Sequence, residues 1–221
     1  MSPWPRAVLF DLDGTLIDSA PDLRNAVNEL LGLNGLGPLS LDQVRLMIGD
    51  GAKLLVERAF EAAGRRLSPA ELDRQFDVML SDIYGKHLTG ETVPIPGALE
   101  VVSRLKGEGC KLAVVTNKPE RFTAEVLDHY GFSPFIDTFI GGNAGVEKKP
   151  APDMLLAALK RLGVAPEDAV MVGDGPADIE AARRADVFSV LLHGGYGQPV
   201  EAEPDRFINS LDELLAVFSA R

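Results

Sequence analysis

Two pairs of aspartates stand where acid chemistry would need them: Asp11 and Asp13 in Asp11-Leu12-Asp13-Gly14-Thr15, and Asp174 and Asp178 in Gly173-Asp174-Gly175-Pro176-Ala177-Asp178. Brought to one place, these carboxylates would repel one another and raise each other's pKa values, a cost that a bound cation removes. Oxygen ligands with no His or Cys beside them favour a hard ion, and Mg²⁺ is the usual choice when a phosphate completes its shell. On a continuing strand Asp11 and Asp13 would share a face, but a turn through Gly14 lets Asp13 swing away and presents N–H groups, with Thr15, to a phosphate. One carboxylate can then attack phosphorus while the other handles the proton of the leaving oxygen. Asp174 and Asp178 lie one helical turn apart, where like charges on a bare helix cost a few tenths of a kcal/mol and a cation between them offsets that. Thr116 and Asn117 offer donors to phosphate oxygens, and Lys149 offers a point charge. Plainer readings stand beside these: an acidic pair that only forms a turn and cap, Asp174 or Asp178 as a helix cap aided by the macrodipole, and Thr116 and Asn117 capping the helix that Pro119 opens. For Lys148 the plain surface reading is preferred.

These residues need a frame that gathers them. Apolar runs at Ala7 to Phe10, Leu112 to Val115, Ala169 to Val172 and Val187 to Leu192 have the length and continuity of fully buried strands. Helical patterns lie between them, for example Leu99, Val102 and Leu105, or Leu155, Leu156, Leu159 and Leu162 before Gly163. The alternation predicts an α/β fold, a Rossmann-like doubly wound parallel sheet covered on both faces. In such sheets the ligand crevice lies at the carboxyl ends of the strands, where the polar clusters fall. Residues 20–92 break the rhythm, with helix signals and no convincing strand, and predict a helical cap domain inserted into a core made of residues 1–19 and 93–221. Inside it, Ser68-Pro69-Ala70-Glu71 combines a capping residue, a first-turn proline and a glutamate three residues after the cap, which predicts a helix to about Tyr84. Thr92 to Gly97, with its two prolines, reads as a stiff return linker, and Asp18 to Pro21 as the entry linker.

Composition bounds the partners. Hydrophobic residues at 46% and charged residues at 25% are those of an ordinary globular chain with material for a core. The net charge of -11 repels a phosphate backbone, so nucleic acid is excluded as a partner, and any phosphate site needs a local source of positive charge. No apolar run reaches the length needed to cross a bilayer. The N-terminus, Met1 to Arg6, carries no signal or transit pattern. The single cysteine, Cys110, reads as a small buried side chain at the start of a strand and fits a reducing compartment. The expectation is a cytoplasmic monomer or homodimer acting on a small phosphorylated metabolite.

Assembled, these residues resemble the haloacid dehalogenase superfamily, whose motifs stand here as Asp11-Leu12-Asp13-Gly14-Thr15, Thr116-Asn117, Lys149-Pro150 and Gly173-Asp174 with Asp178. The insertion after the first motif is similar to the helical cap of the cap-one subgroup. Within it, Ile48-Gly49-Asp50-Gly51-Ala52, Thr116-Asn117-Lys118-Pro119 and Gly194-Gly195-Tyr196-Gly197 are most similar to phosphoglycolate phosphatases. The resemblance implies a Mg²⁺-dependent phosphomonoester hydrolase acting on 2-phosphoglycolate, with Asp11 as nucleophile and metal ligand. It implies Asp13 as general acid and then base, lending its backbone carbonyl to the metal. Thr116 and Lys149 would hold the phosphoryl group, Asp174 would bind the metal and Asp178 would support it. The paired Asp13 and Thr15 disfavour the dehalogenase branch. Gly175 replaces a common serine or threonine, and Asp186 a common glycine. In the cap, Arg45 and Lys53 flank the turn at Gly49 and are candidate partners for a substrate carboxylate, with solvated helix positions as the plainer reading. Rival activities of the same family are a β-phosphoglucomutase-like phosphomutase and a phosphatase for N-acetylmuramic acid 6-phosphate, a nucleotide or pyrophosphate. A non-catalytic binding member is the other class, and the intact acids, Thr116 and Lys149 argue against it.

Overall fold

The structure, a computed structural model, describes residues 5–197 and 203–219. Residues 1–4, on which the N-terminal reading partly rests, lie outside the described residues. Among those described, no helix is long and apolar enough to cross a membrane. The strands are β1 (Ala7–Phe10), β2 (Ile17–Asp18), β3 (Val93–Pro94), β4 (Lys111–Val115), β5 (Thr138–Ile140), β6 (Ala169–Gly173), β7 (Phe188–Leu192) and β8 (Arg206–Ile208). Six of them form one sheet in the order β5-β4-β1-β6-β7-β8, and every neighbouring pair runs parallel.

Alternation along these strands divides the core. Val8, Phe10, Leu112, Val114, Val170 and Val172 face one apolar layer, while Ala7, Leu9, Ala113, Val115, Ala169 and Met171 face the other. A sheet buried on both sides needs apolar residues at every position, which is why the sequence shows runs rather than a two-residue period. Helices α5 (Ala98–Gly107), α6 (Glu120–His129), α7 (Asp153–Leu162), α8 (Pro176–Arg184) and α9 (Glu213–Ser219) belong to this core. The four predicted strands are all present. The edge strands β5 and β8 went unread because each is only three residues long, and both are partly exposed.

Helices α1 (Ala20–Leu33), α2 (Leu41–Arg45), α3 (Ala52–Ala62) and α4 (Pro69–Val78) form the inserted helical unit. Ser68 and Glu71 make the reciprocal capping bonds that their spacing predicts. The α-helix stops at Val78, however, and the chain continues as a π-helical turn at Met79–Ile83 and a 3₁₀ turn at Tyr84–His87. No proline or glycine marks the change before Tyr84, so it was not legible. Its effect is to bury Met79, Ile83 and Tyr84, whereas α4 itself has no fully buried residue.

The two expected linkers pair with each other: β2 and β3 run antiparallel, Ile17 opposite Pro94 and Asp18 opposite Val93. Asp22, at the start of α1, clamps the crossing. Its buried carboxylate accepts from the N–H of Glu91 (2.9 Å), the N–H of Thr92 (2.8 Å) and the Thr92 hydroxyl (2.7 Å). Cys110 is buried beside β4, as its sequence position suggests. Asp186 takes a φ of 55°, in the left-handed region that favours glycine and that aspartate tolerates better than most residues.

Candidate active site

Strand register delivers the site. Phe10 lies level with Val114 of β4 and with Val172 of β6, so the chain ends at Asp11, Thr116 and Asp174 emerge side by side at the carboxyl edge. Asp11, Asp174 and Asp178 each offer a carboxylate oxygen, and the three oxygens lie within 4.8 Å of one another. Lys149, with only 1% of its side chain exposed, sits among them with Nζ 2.9 Å from Asp11 Oδ1 and 2.6 Å from Asp178 Oδ1.

The surrounding donors hold each acid in place. Asp174 accepts from the Thr15 hydroxyl (3.0 Å) and from the N–H groups of Tyr196 (2.6 Å) and Gly197 (3.3 Å). This gives the Gly194 to Gly197 turn a function, since it wraps backbone donors around one carboxylate. Asp178, in the first turn of α8, accepts from the Gly175 N–H at 3.1 Å. Gly14 has φ 89°, and a Cβ there would collide with the Asp174 carboxylate, so only glycine allows the turn to pass so close.

Three buried carboxylates against one ammonium leave the cluster short of positive charge. Burial pushes the Asp11 carboxyl up to about 7, reinforced by Asp178 and Asp174 and opposed by Lys149. Burial, then Asp178, pushes Asp174 up to about 6. Burial alone would lower the pKa of Lys149, but Asp11 and Asp178 outweigh it and raise the value above the ordinary lysine range. An all-oxygen donor set with a charge deficit fits a hard divalent cation.

Asp13 leaves this cluster, as a turn through Gly14 allows. Its Oδ1 accepts from the Ser19 hydroxyl (2.6 Å) and from Lys118 Nζ (2.9 Å), whose distance to Oδ2 is 3.3 Å. Lys118 also donates to the Tyr84 hydroxyl, which reaches over from the cap. Burial disfavours this ammonium, yet Asp13 and Tyr84 raise its pKa above the ordinary range. Thr116 and Asn117 follow β4, both buried. The Asn117 amide donates to the Lys149 carbonyl in the core and the Gly49 carbonyl in the cap, each at 3.0 Å. Gly51 has φ 93°, and a Cβ there would lie 3.4 Å from the Asn117 carbonyl, a close approach that suits glycine at this turn.

A family model described as haloacid dehalogenase-like hydrolase matches residues 5–186. The chain belongs to the haloacid dehalogenase-like hydrolase family. A phosphoglycolate phosphatase from Caulobacter vibrioides is 43% identical over 199 residues, covering 88% of this chain and 82% of that protein. A crystal structure described as a predicted phosphoglycolate phosphatase, from Haemophilus somnus, superposes with a TM-score of 0.87 at 32% identity, covering 96% of this chain and 97% of the other. A complex of CbbY from Rhodobacter sphaeroides with phosphate superposes with a TM-score of 0.79 at 27% identity, covering 97% and 99%. Within the family this hydrolase is a phosphatase.

For this phosphatase the residues read from the sequence fall into two groups. Asp11, Gly14, Thr15, Thr116, Asn117, Lys149, Asp174 and Asp178 meet at the sheet edge, and the Asp13 carboxylate stands apart, between Ser19 and Lys118. In the cap, Gly49 lines the space beside Asp11. Arg45 instead pairs with Asp18 at 3.2 Å, and Lys53 pairs with Asp73 on the exposed surface. Among the described residues, neither lines either of the two pockets beside Asp11, one bounded by Lys118 and Tyr84 and the other by Asp174 and Tyr196. The cap cation that does is Arg58, which binds the Asp50 carboxylate and the Met47 carbonyl. Lys118 and Tyr84 also went unread as site residues. A lysine wedged between Asn117 and a helix-opening proline at a strand end was the available signal for Lys118. For Tyr84 there was none, because the π-turn that aims it inward has no sequence mark.

Proposed function

We propose that this phosphatase hydrolyses 2-phosphoglycolate to glycolate and phosphate through a phosphorylated Asp11. The observation that carries the reading is the set of Asp11, Asp174 and Asp178 oxygens gathered around Lys149 at the sheet edge. The 43% identical phosphoglycolate phosphatase supports the choice of substrate. Residues 1–19 and 93–221 then serve as the chemical core, and residues 20–92 as the cap that covers the leaving group.

In the first step the Asp11 carboxylate attacks phosphorus, the bond from phosphorus to the ester oxygen breaks, and Asp13 gives that oxygen a proton. In the second, Asp13 takes a proton from water, whose oxygen attacks phosphorus and releases Asp11. Lys149 and the Thr116 hydroxyl hold the oxygens of the phosphoryl group. The Gly14 and Thr15 N–H groups, expected from the sequence to serve as phosphate donors, are instead spent within the turn on the Ile17 and Leu12 carbonyls, and the Thr15 hydroxyl on Asp174. Asp11, Asp174 and Asp178, with the Asp13 carbonyl, would hold Mg²⁺, which when bound offsets carboxylate repulsion and the charge developing on phosphoryl oxygens.

The test is a panel of phosphorylated metabolites assayed with Mg²⁺, repeated with Asp11→Asn. Hydrolysis of 2-phosphoglycolate ahead of sugar phosphates and nucleotides is the expected result, with phosphate released in the absence of any sugar acceptor. Equal rates across the panel, or phosphate transfer only to a sugar, would defeat the substrate reading.

A further inference from the structure

The acid cluster accounts for the phosphoryl end of 2-phosphoglycolate and leaves the other end without a receptor. The leaving group carries a carboxylate, which Asp11 and Asp13 would repel from the space beneath the cap. That space is lined from the sheet edge by Asp13, Thr116 and Lys118, and from the cap by Ile48, Leu55 and Tyr84 among others. Lys118 is the one cationic side chain among its lining residues, and the cap contributes apolar side chains apart from the Tyr84 hydroxyl.

Substrate chemistry adds a distance requirement. In glycolate a single methylene separates the leaving oxygen from the carboxylate, so the group that receives the carboxylate must lie close to the group that protonates the oxygen. Lys118 Nζ, 2.9 Å from Asp13 Oδ1, meets this requirement. Arg58 lines the neighbouring pocket and is engaged with Asp50, and Arg45 and Lys53 are paired elsewhere.

We propose that Lys118, with the Tyr84 hydroxyl beside it, determines specificity by receiving the carboxylate of the leaving group. The inference rests on 2-phosphoglycolate being the substrate. Only 2% of the Lys118 side chain is exposed, and an ammonium so buried is costly unless its three donors are used. Its recorded acceptors are the two Asp13 oxygens and the Tyr84 hydroxyl. When Asp13 turns to the leaving oxygen, an N–H is released and an incoming carboxylate takes it. The Tyr84 oxygen accepts a hydrogen bond from Lys118, so its own O–H stays available, and among the described residues it has no acceptor. Its ring is held by an edge contact with Phe122 of α6, at a centroid distance of 4.6 Å, so the hydroxyl is presented at a set place. An uncharged leaving group gains nothing from this pair, whereas a carboxylate gains charge-assisted bonds to two buried donors.

The experiment compares 2-phosphoglycolate with ethyl phosphate, which lacks the carboxylate, in the wild type, Lys118→Met, Lys118→Arg and Tyr84→Phe, with thermal melts to confirm folding. Lys118→Met is expected to lower kcat/KM for 2-phosphoglycolate by about tenfold to a hundredfold more than for ethyl phosphate. Lys118→Arg should recover part of that selectivity. Inhibition by the product glycolate should weaken in Lys118→Met, while inhibition by inorganic phosphate persists. Equal losses on both esters with unchanged glycolate inhibition would overturn the proposal and leave Lys118 as a residue that only positions Asp13. A wild type with no preference for 2-phosphoglycolate over ethyl phosphate would overturn the substrate reading and this inference together. Should Lys118→Met fail to fold, the isosteric Tyr84→Phe decides: reduced selectivity and weaker glycolate inhibition support the pair, and no change in either rejects it.

Discussion

The sheet edge and the cap above it use charge in opposite ways. At the sheet edge Asp11, Asp174, Asp178 and Lys149 are all buried; Lys149 pairs with both Asp11 and Asp178, and Asp174 accepts from Thr15, Tyr196 and Gly197. On the cap most charges are paired at the surface: Lys53 with Asp73, Arg65 with Glu71 and Arg66 with Glu61 all keep a third or more of their side chains exposed. Exposed pairs of this kind contribute little to stability, since water screens them and long side chains lose freedom to form them. Buried charges are different, because removing one partner leaves the other without compensation. On the proposed mechanism the chemistry of this phosphatase is concentrated in a few strand ends, and its selectivity rests on the few residues of the helical unit that reach down to them.

That contrast can be broken most severely at Asp11. Asp11→Asn keeps the shape and removes the attacking charge, so turnover should fall on the order of a thousandfold or more, as when other enzymes lose a nucleophile. The same variant should melt no lower than the wild type in chelator, because burial and the neighbouring acids oppose the Asp11 charge. Next comes Lys149→Met, which leaves Asp11 and Asp178 facing each other without a cation. Urea unfolding in chelator should show a loss of about 3–5 kcal/mol, typical of a broken buried pair.

A smaller effect separates the two regions by pH. Asp11 and Asp174 have folded pKa values raised to about 7 and about 6 from an ordinary 3.8. The folded state therefore binds more protons than the unfolded chain between these limits, and their contribution to stability is full below 3.8 and lost as pH rises through 6 and 7. Mg²⁺ should reverse that loss, so the rise in Tm on adding Mg²⁺ should be larger at about pH 8 than at about pH 5. An equal rise at both pH values would place the metal away from these acids. The smallest effect is expected on the cap surface: Lys53→Ala should change stability by less than about 1 kcal/mol, read by denaturant unfolding.

The same contrast explains what could be read from the chain alone. Apolar runs ending in Asp11, Thr116 and Asp174 were legible because a doubly covered parallel sheet demands continuous burial, and its ligands collect at one edge. Lys149 was legible as a point charge for phosphate from its place before Pro150, but its ion pairs with Asp11 and Asp178 were not, because they join residues far apart in sequence. The cap was read less well because helical spacing shows which residues share a face and not which partner that face meets. Arg45 and Lys53 sit near the Gly49 turn in sequence, yet their heads go to Asp18 and Asp73. Tyr84 reaches Lys118 through a π-turn that leaves no mark in composition.

The most direct measurement is an acid-quenched single turnover of 2-phosphoglycolate with Mg²⁺, followed by peptide mass spectrometry. A phosphoryl group on the peptide containing Asp11, absent in Asp11→Asn, is the predicted result. Phosphate release at full rate by Asp11→Asn, or a label on any other residue, would contradict the account.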